Sequence, residues 1–97
     1  MNVHVSWGNS DGKLTQLEWS VFCEKVVWAC RHLGAVEVYG EWYSLPSAQY
    51  QNACISFRIE EPAGELKEML AVLAGGFRQV SIAWLGGETE FIRGVPG

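Results

Sequence analysis

Residues 15–33, TQLEWSVFCEKVVWACRHL, are the stretch from which the fold can be read. At about 3.6 residues per turn, Trp19, Phe22, Cys23, Val26, Ala29, Cys30 and Leu33 fall on one broad face, the stripe that a surface helix turns toward a core. Thr15 with Glu18 three residues later makes a capping box, and Leu14 and Trp19 stand where a hydrophobic staple fixes the entry of the chain. Arg31 and His32 suit the negative end of the helix, and Gly34 is expected to supply a left-handed residue that ends it. Leu17, Val21 and Trp28 do not belong to the core stripe. They align on the opposite side, flanked by Glu18, Lys25 and His32 on one edge and by Ser20, Glu24 and Arg31 on the other. Large apolar side chains among charges mark a surface that something covers: another subunit, a partner protein, or the chain's own C-terminal segment around Phe91 and Ile92.

Strands are legible on both sides of this helix. Val3, Val5 and Trp7 alternate with Asn2, His4 and Ser6, the period of a half-buried strand, which stops at Gly8 before the turn cluster Asn9-Ser10-Asp11-Gly12. After the helix, Val36, Val38 and Trp42 are expected on the apolar face of a second strand, with Glu37, Tyr39, Glu41 and Tyr43 on the other face and Gly40 marking a bulge. A loop of about eight residues, SLPSAQYQ, leads to a third strand in which Ala53, Ile55, Phe57 and Ile59 point one way and Cys54, Ser56 and Arg58 the other. Pro62 suits the first turn of a second helix that buries Leu66, Met69, Leu70 and Leu73 and ends at Gly75 and Gly76. Val80, Ile82 and Trp84 form a fourth strand, and Gly86-Gly87 is a hairpin signal leading to a short fifth strand around Phe91.

The order β-α-β-β-α-β describes an α+β chain of the ferredoxin-like plait: one domain over residues 1–97, with two helices on one face of an antiparallel sheet and a short C-terminal hairpin strand. The other face should carry His4, Ser6, Glu37, Tyr39, Glu41, Tyr43, Cys54, Ser56, Arg58, Ser81 and Ala83. Such a plait hosts enzymes, RNA binders, metal carriers and regulatory dimers, so function has to come from the side chains.

Composition narrows the choice. With 48% hydrophobic and 12% aromatic residues, 97 residues can bury a core without disulfides or metal. The net charge is −4, and seven Lys and Arg are spread singly, so no basic stripe exists to displace counterions from a phosphate backbone. This argues against nucleic acid as a partner. Three cysteines, at 23, 30 and 54, are an odd number without CxxC spacing, which points away from a disulfide framework or a zinc site. No apolar run reaches membrane-spanning length, and MNVHVSWGNS lacks a basic region followed by an apolar core. The expectation is a cytoplasmic protein with no membrane association.

No chemical constellation stands out. An acylphosphatase has this size and strand order, but Gly8-Asn9-Ser10-Asp11-Gly12 carries a carboxylate and no phosphate-holding arginine. RNA recognition on the sheet would need exposed aromatics and basic groups where the third strand shows Cys54, Ser56 and Arg58. His4 and Cys54 could stand together as base and thiol on the open face, yet no orienting carboxylate or oxyanion donor accompanies them. Glu61, Glu65 and Glu68 read as a solvated helix face. No catalytic residue, metal ligand or cofactor is therefore assigned.

The loop from Glu41 to Asn52 mixes aromatics with amides and hydroxyls, a blend common to ligand pockets and protein interfaces. With Trp42 expected in the core, Tyr43, Tyr50, Gln51 and Asn52 are its candidates for ligand or partner contact. The leading expectation is a non-enzymatic binding protein that sequesters or occludes a protein partner through Leu17, Val21 and Trp28, with a homodimer as one form of that contact. The alternative is a small-ligand binder with a pocket at the 43–52 loop, and an enzyme of unrecognised type comes third. A small, Trp-rich, acidic domain of this kind is similar to accessory proteins of phages and bacterial conflict systems, of inhibitor, immunity or counter-defence type, which work by binding and blocking.

Overall fold

A computed structural model describes residues 1–9, 12–60 and 63–96. The readings given above for Ser10, Asp11, Glu61 and Pro62 lie outside the described residues. Six elements follow one another: β1 (Asn2–Gly8), α1 (Gln16–His32), β2 (Ala35–Tyr43), β3 (Asn52–Ile59), α2 (Gly64–Gly76) and β4 (Ala83–Gly87). The strands form one antiparallel sheet in the order β2-β3-β1-β4. This is the α+β arrangement with ferredoxin-like element order.

Local chemistry explains how β1 becomes α1. The buried Asn9 side chain brackets Leu14, its Oδ1 accepting the Leu14 N–H and its Nδ2 donating to the Leu14 carbonyl, both at 3.0 Å. Thr15 then caps the helix: its Oγ1 accepts the Glu18 N–H at 3.1 Å, while the Thr15 N–H donates to Glu18 Oε1 at 3.0 Å. The other Glu18 oxygen receives the Arg78 guanidinium at 2.8 Å, tying the start of α1 to the chain just past α2. That hydrogen bond, followed by the one from the Thr15 backbone, holds the Glu18 carboxyl below its ordinary range.

The core lies between sheet and helices. Val3, Val5 and Trp7 of β1 and Ala53, Ile55, Phe57 and Ile59 of β3 meet Phe22, Val26, Ala29 and Cys30 of α1 and Leu66 and Leu70 of α2. Met69 and Leu73, expected inside, are half-buried. Of the two glycine stops, the first differs from expectation, whereas α2 ends at Gly76 as expected. Leu33 caps α1 with φ of −112°, and Gly34 has no positive φ; a Cβ there would stand 2.7 Å from Ile59 Cδ1, so Gly34 is a close-packing residue. At the end of α2, Gly75 and Gly76 remain helical and Arg78 takes the left-handed conformation, with φ of 58°.

Two strands also depart from the sequence pattern. Pairing between β2 and β3 shifts between Ala35 and Glu37 and again between Val38 and Gly40. Beyond the second shift, Glu41 lies opposite Ile55 and Tyr43 opposite Ala53, on the helix-covered face, while Trp42 lies opposite Cys54 on the open face. Trp42 is therefore 57% exposed instead of buried, and Val36 is exposed as well. An extra residue in one strand turns every later side chain over, and the unpaired Tyr39, just before Gly40, does so here. At the other edge β4 begins only at Ala83. Val80 is exposed outside it, and Gly86 and Gly87 pair with Val3 and Asn2 instead of forming a hairpin. No fifth strand occurs among the described residues, and the arm from Glu88 to Pro96 carries no secondary structure.

Candidate functional site

Because α1 and α2 lie side by side on the sheet, the outer flank of α1 and the half-buried residues of α2 leave an open groove of about 590 Å³ between them. Val21, Glu24, Lys25, Trp28, Ala29, Met69 and Leu73 line it. Trp28 stays 53% exposed, with its indole stacked on His32 at 4.9 Å between ring centres. His32 Nδ1 lies 2.9 Å from the Trp28 carbonyl, the geometry of an Nδ1–H donating one turn back along the helix. Of the expected row, Val21 and Trp28 thus line the groove, whereas Leu17 projects into solvent outside it. Sequence reading missed Met69 and Leu73 as surface residues. Their helical spacing is that of a core stripe, and nothing in the pattern says that the neighbouring helix stops short of covering them.

The 43–52 loop behaves differently. Tyr43 packs edge-on against Trp7, 6.5 Å between ring centres, and its hydroxyl donates to Glu41 Oε2 at 3.0 Å. Burial, reinforced by the Glu41 carboxylate, pushes the phenol up to about 12. Gln51 is buried, and its amide exchanges two hydrogen bonds of 2.9 Å with Gln16 of α1, so it serves as a strut between loop and helix. Asn52 closes the loop: its N–H donates to Ser44 Oγ at 3.0 Å, its carbonyl accepts the Ser44 N–H at 2.8 Å, and its side chain donates to the Tyr50 carbonyl. Tyr50 is exposed and accepts from Gln49. Beside the loop lies a second cavity of about 440 Å³, to which Tyr43, Ser44, Pro46 and Gln51 contribute along with Gln16 and Ser20 of α1. Tyr50 and Asn52 do not line it.

On the open sheet face the register places His4 opposite Ser56 and Ser6 opposite Cys54, so the imidazole meets a hydroxyl and not the thiol. His4 Nδ1 and Ser56 Oγ are 2.6 Å apart. Arg58 spans Glu37 and Glu60, and the Tyr39 hydroxyl donates to Asn2 Oδ1 at 2.9 Å. All three cysteines are free thiols. Burial raises Cys23 above the ordinary thiol value and pushes Cys30 up to about 12, which keeps both protonated and unreactive. Among the described residues no cluster of three or more metal-ligating side chains occurs, and no helix is long and apolar enough to cross a membrane. The C-terminal arm does not cover the α1 row, since Phe91 is 86% and Ile92 84% exposed.

Compared with protein-family models, curated proteins and solved structures, the chain matches none.

Proposed function

We propose that this chain is a non-enzymatic binding protein, an inhibitor or immunity-type domain that occludes a protein partner, with the groove between α1 and α2 as its contact surface. One observation carries the reading: Trp28 leaves half its surface in water beside Val21, Met69 and Leu73. A tryptophan anchored on a rigid helix within an apolar groove is the kind of residue that dominates binding energy once a partner excludes water from it. Glu24 and Lys25 give the same groove a charged lining that orients the partner. Trp28→Lys and Val21→Glu should retain cooperative unfolding, because neither side chain is in the buried core. Each should lower retention of the partner in affinity purification by at least about thirtyfold, the effect of losing a hot spot. Unchanged retention in both variants sinks the proposal.

A small-ligand reading is favoured by the loop cavity, where hydroxyls and amides of Ser20, Tyr43, Ser44, Gln16 and Gln51 converge on a volume of about 440 Å³. That volume lies within the roughly 300–1,000 Å³ of typical ligand pockets. Mass spectrometry of small molecules co-purifying with the Trp28→Lys variant separates the readings: a retained small molecule supports the cavity, and its absence supports the groove.

A further inference from the structure

Glu88 to Pro96 form an arm whose apolar side chains meet nothing in the single chain: Phe91, Ile92 and Val95 are all almost wholly exposed. We infer that this arm, from a second copy of the chain, is an occupant of the α1/α2 groove, so that two copies exchange arms reciprocally. The inference rests on the groove being a binding surface, and three features carry it further.

Spacing comes first. In an extended arm Phe91, Arg93 and Val95 share one side, with about 13 Å between the outer two. In the groove, Val21 and Trp28 are separated by about 10 Å along α1, with Glu24 between them. The pattern apolar-cation-apolar of the arm thus meets apolar-acid-apolar on the helix. Charge is the second feature. Among the described residues neither Glu24 nor Arg93 has an ion-pair partner, so docking gives each its counter-charge, and the Arg93 guanidinium arrives beside the free indole face of Trp28.

Direction of the arm decides between its own groove and another copy's. The arm leaves β4 at Gly87, and Thr89 is held there by a hydrogen bond from Asn2 Nδ2. Asn2 belongs to the open face of the sheet, whereas the groove lies on the helix-covered side. Its own groove would require the arm to give up that bond and wrap around the sheet edge. A second copy accepts it as it stands, and two-fold symmetry repeats the contact and doubles the buried area.

Sedimentation velocity on the full chain, from low to high micromolar concentration, tests the inference. The wild type should form a dimer. Phe91→Asp should leave a monomer that still unfolds cooperatively, since the side chain is exposed in each single chain, and its midpoint should lose the concentration dependence that dimerisation gives the wild type. Glu24→Arg and Arg93→Glu should each weaken dimerisation about tenfold or more, and the double variant should restore it to within a few-fold of wild type. A monomeric wild type overturns the inference and leaves the protein-partner reading intact. A dimer indifferent to Phe91→Asp overturns it by placing the contact elsewhere. A monomer in which Glu24 and Arg93 are coupled in stability also overturns it, by showing the arm on its own groove. Arm-dependent dimerisation without a Trp28-dependent partner supports the inference and counts against occlusion of a different protein.

Discussion

Strands β2 and β3 are hydrogen-bonded neighbours, yet one obeys its sequence pattern and the other reverses it. In β3 each of Ala53, Ile55, Phe57 and Ile59 is essentially inaccessible and the residues between them face outward, as simple alternation requires. In β2 the alternation of Val36, Val38 and Trp42 predicts an apolar inner face, but two shifts in register leave only Val38 of these three half-buried and turn Glu41 and Tyr43 to the helix-covered face. The difference lies in position. β3 is central, paired on both sides and covered by the helices, so a slip would carry its whole apolar set into water. β2 is an edge, where a bulge unpairs a residue at little cost and also spoils a template for edge-to-edge aggregation.

The contrast can be broken most forcefully by truncation. Phe57→Ala should destabilise the protein by about 3–5 kcal/mol in urea unfolding, the cost of an unfilled cavity among buried neighbours. Trp42→Ala, removing a larger side chain from the adjacent strand, should change stability by no more than about 0.5 kcal/mol. Comparable losses at the two positions would return Trp42 to the core.

Two glycines, Gly34 just before β2 and Gly40 within it, sharpen the comparison at intermediate scale. Gly34→Ala forces a Cβ to 2.7 Å from Ile59 Cδ1 and 3.4 Å from Leu66 Cδ2, both in the core, and should cost about 1–3 kcal/mol through overpacking. Gly40→Ala meets no atom within 4 Å and needs no left-handed backbone, so its midpoint should stay within about 0.5 kcal/mol of wild type or rise slightly. A large loss at Gly40 alone would show that the bulge demands glycine.

The smallest effect probes the inverted face directly. Arg31 of α1 and Glu41 of β2 pair at 2.8 Å, a contact that exists only because the bulge turns Glu41 toward the helices. A double-mutant cycle on Arg31→Met and Glu41→Gln should give a coupling of about 0.2–1 kcal/mol that shrinks with added salt. Zero coupling at low salt would put Glu41 back on the open face.

Residues whose structure is set within a few neighbours were legible in the sequence. The Thr15–Glu18 capping box, the alternation of β1 and β3, the core stripe of α1 and the order of the six elements all follow from local hydrogen-bonding chemistry and from the period of apolar residues. That Val21 and Trp28 stand off the core stripe of α1 was legible for the same reason, because helical geometry alone separates them from that stripe. Tertiary structure decided what depends on a second element. Whether Gly34 turns the chain or makes room for Ile59 depends on how closely β3 approaches, and whether Trp42 faces in or out depends on the register against β3. Gln51 became a strut because Gln16, the first residue of α1, lies against it, and Met69 and Leu73 became groove walls because α1 and α2 leave a gap between them. Each of these is a distance between segments far apart in the chain. A residue's own type and its near neighbours constrain its backbone, but the packing of whole helices and sheets sets those distances.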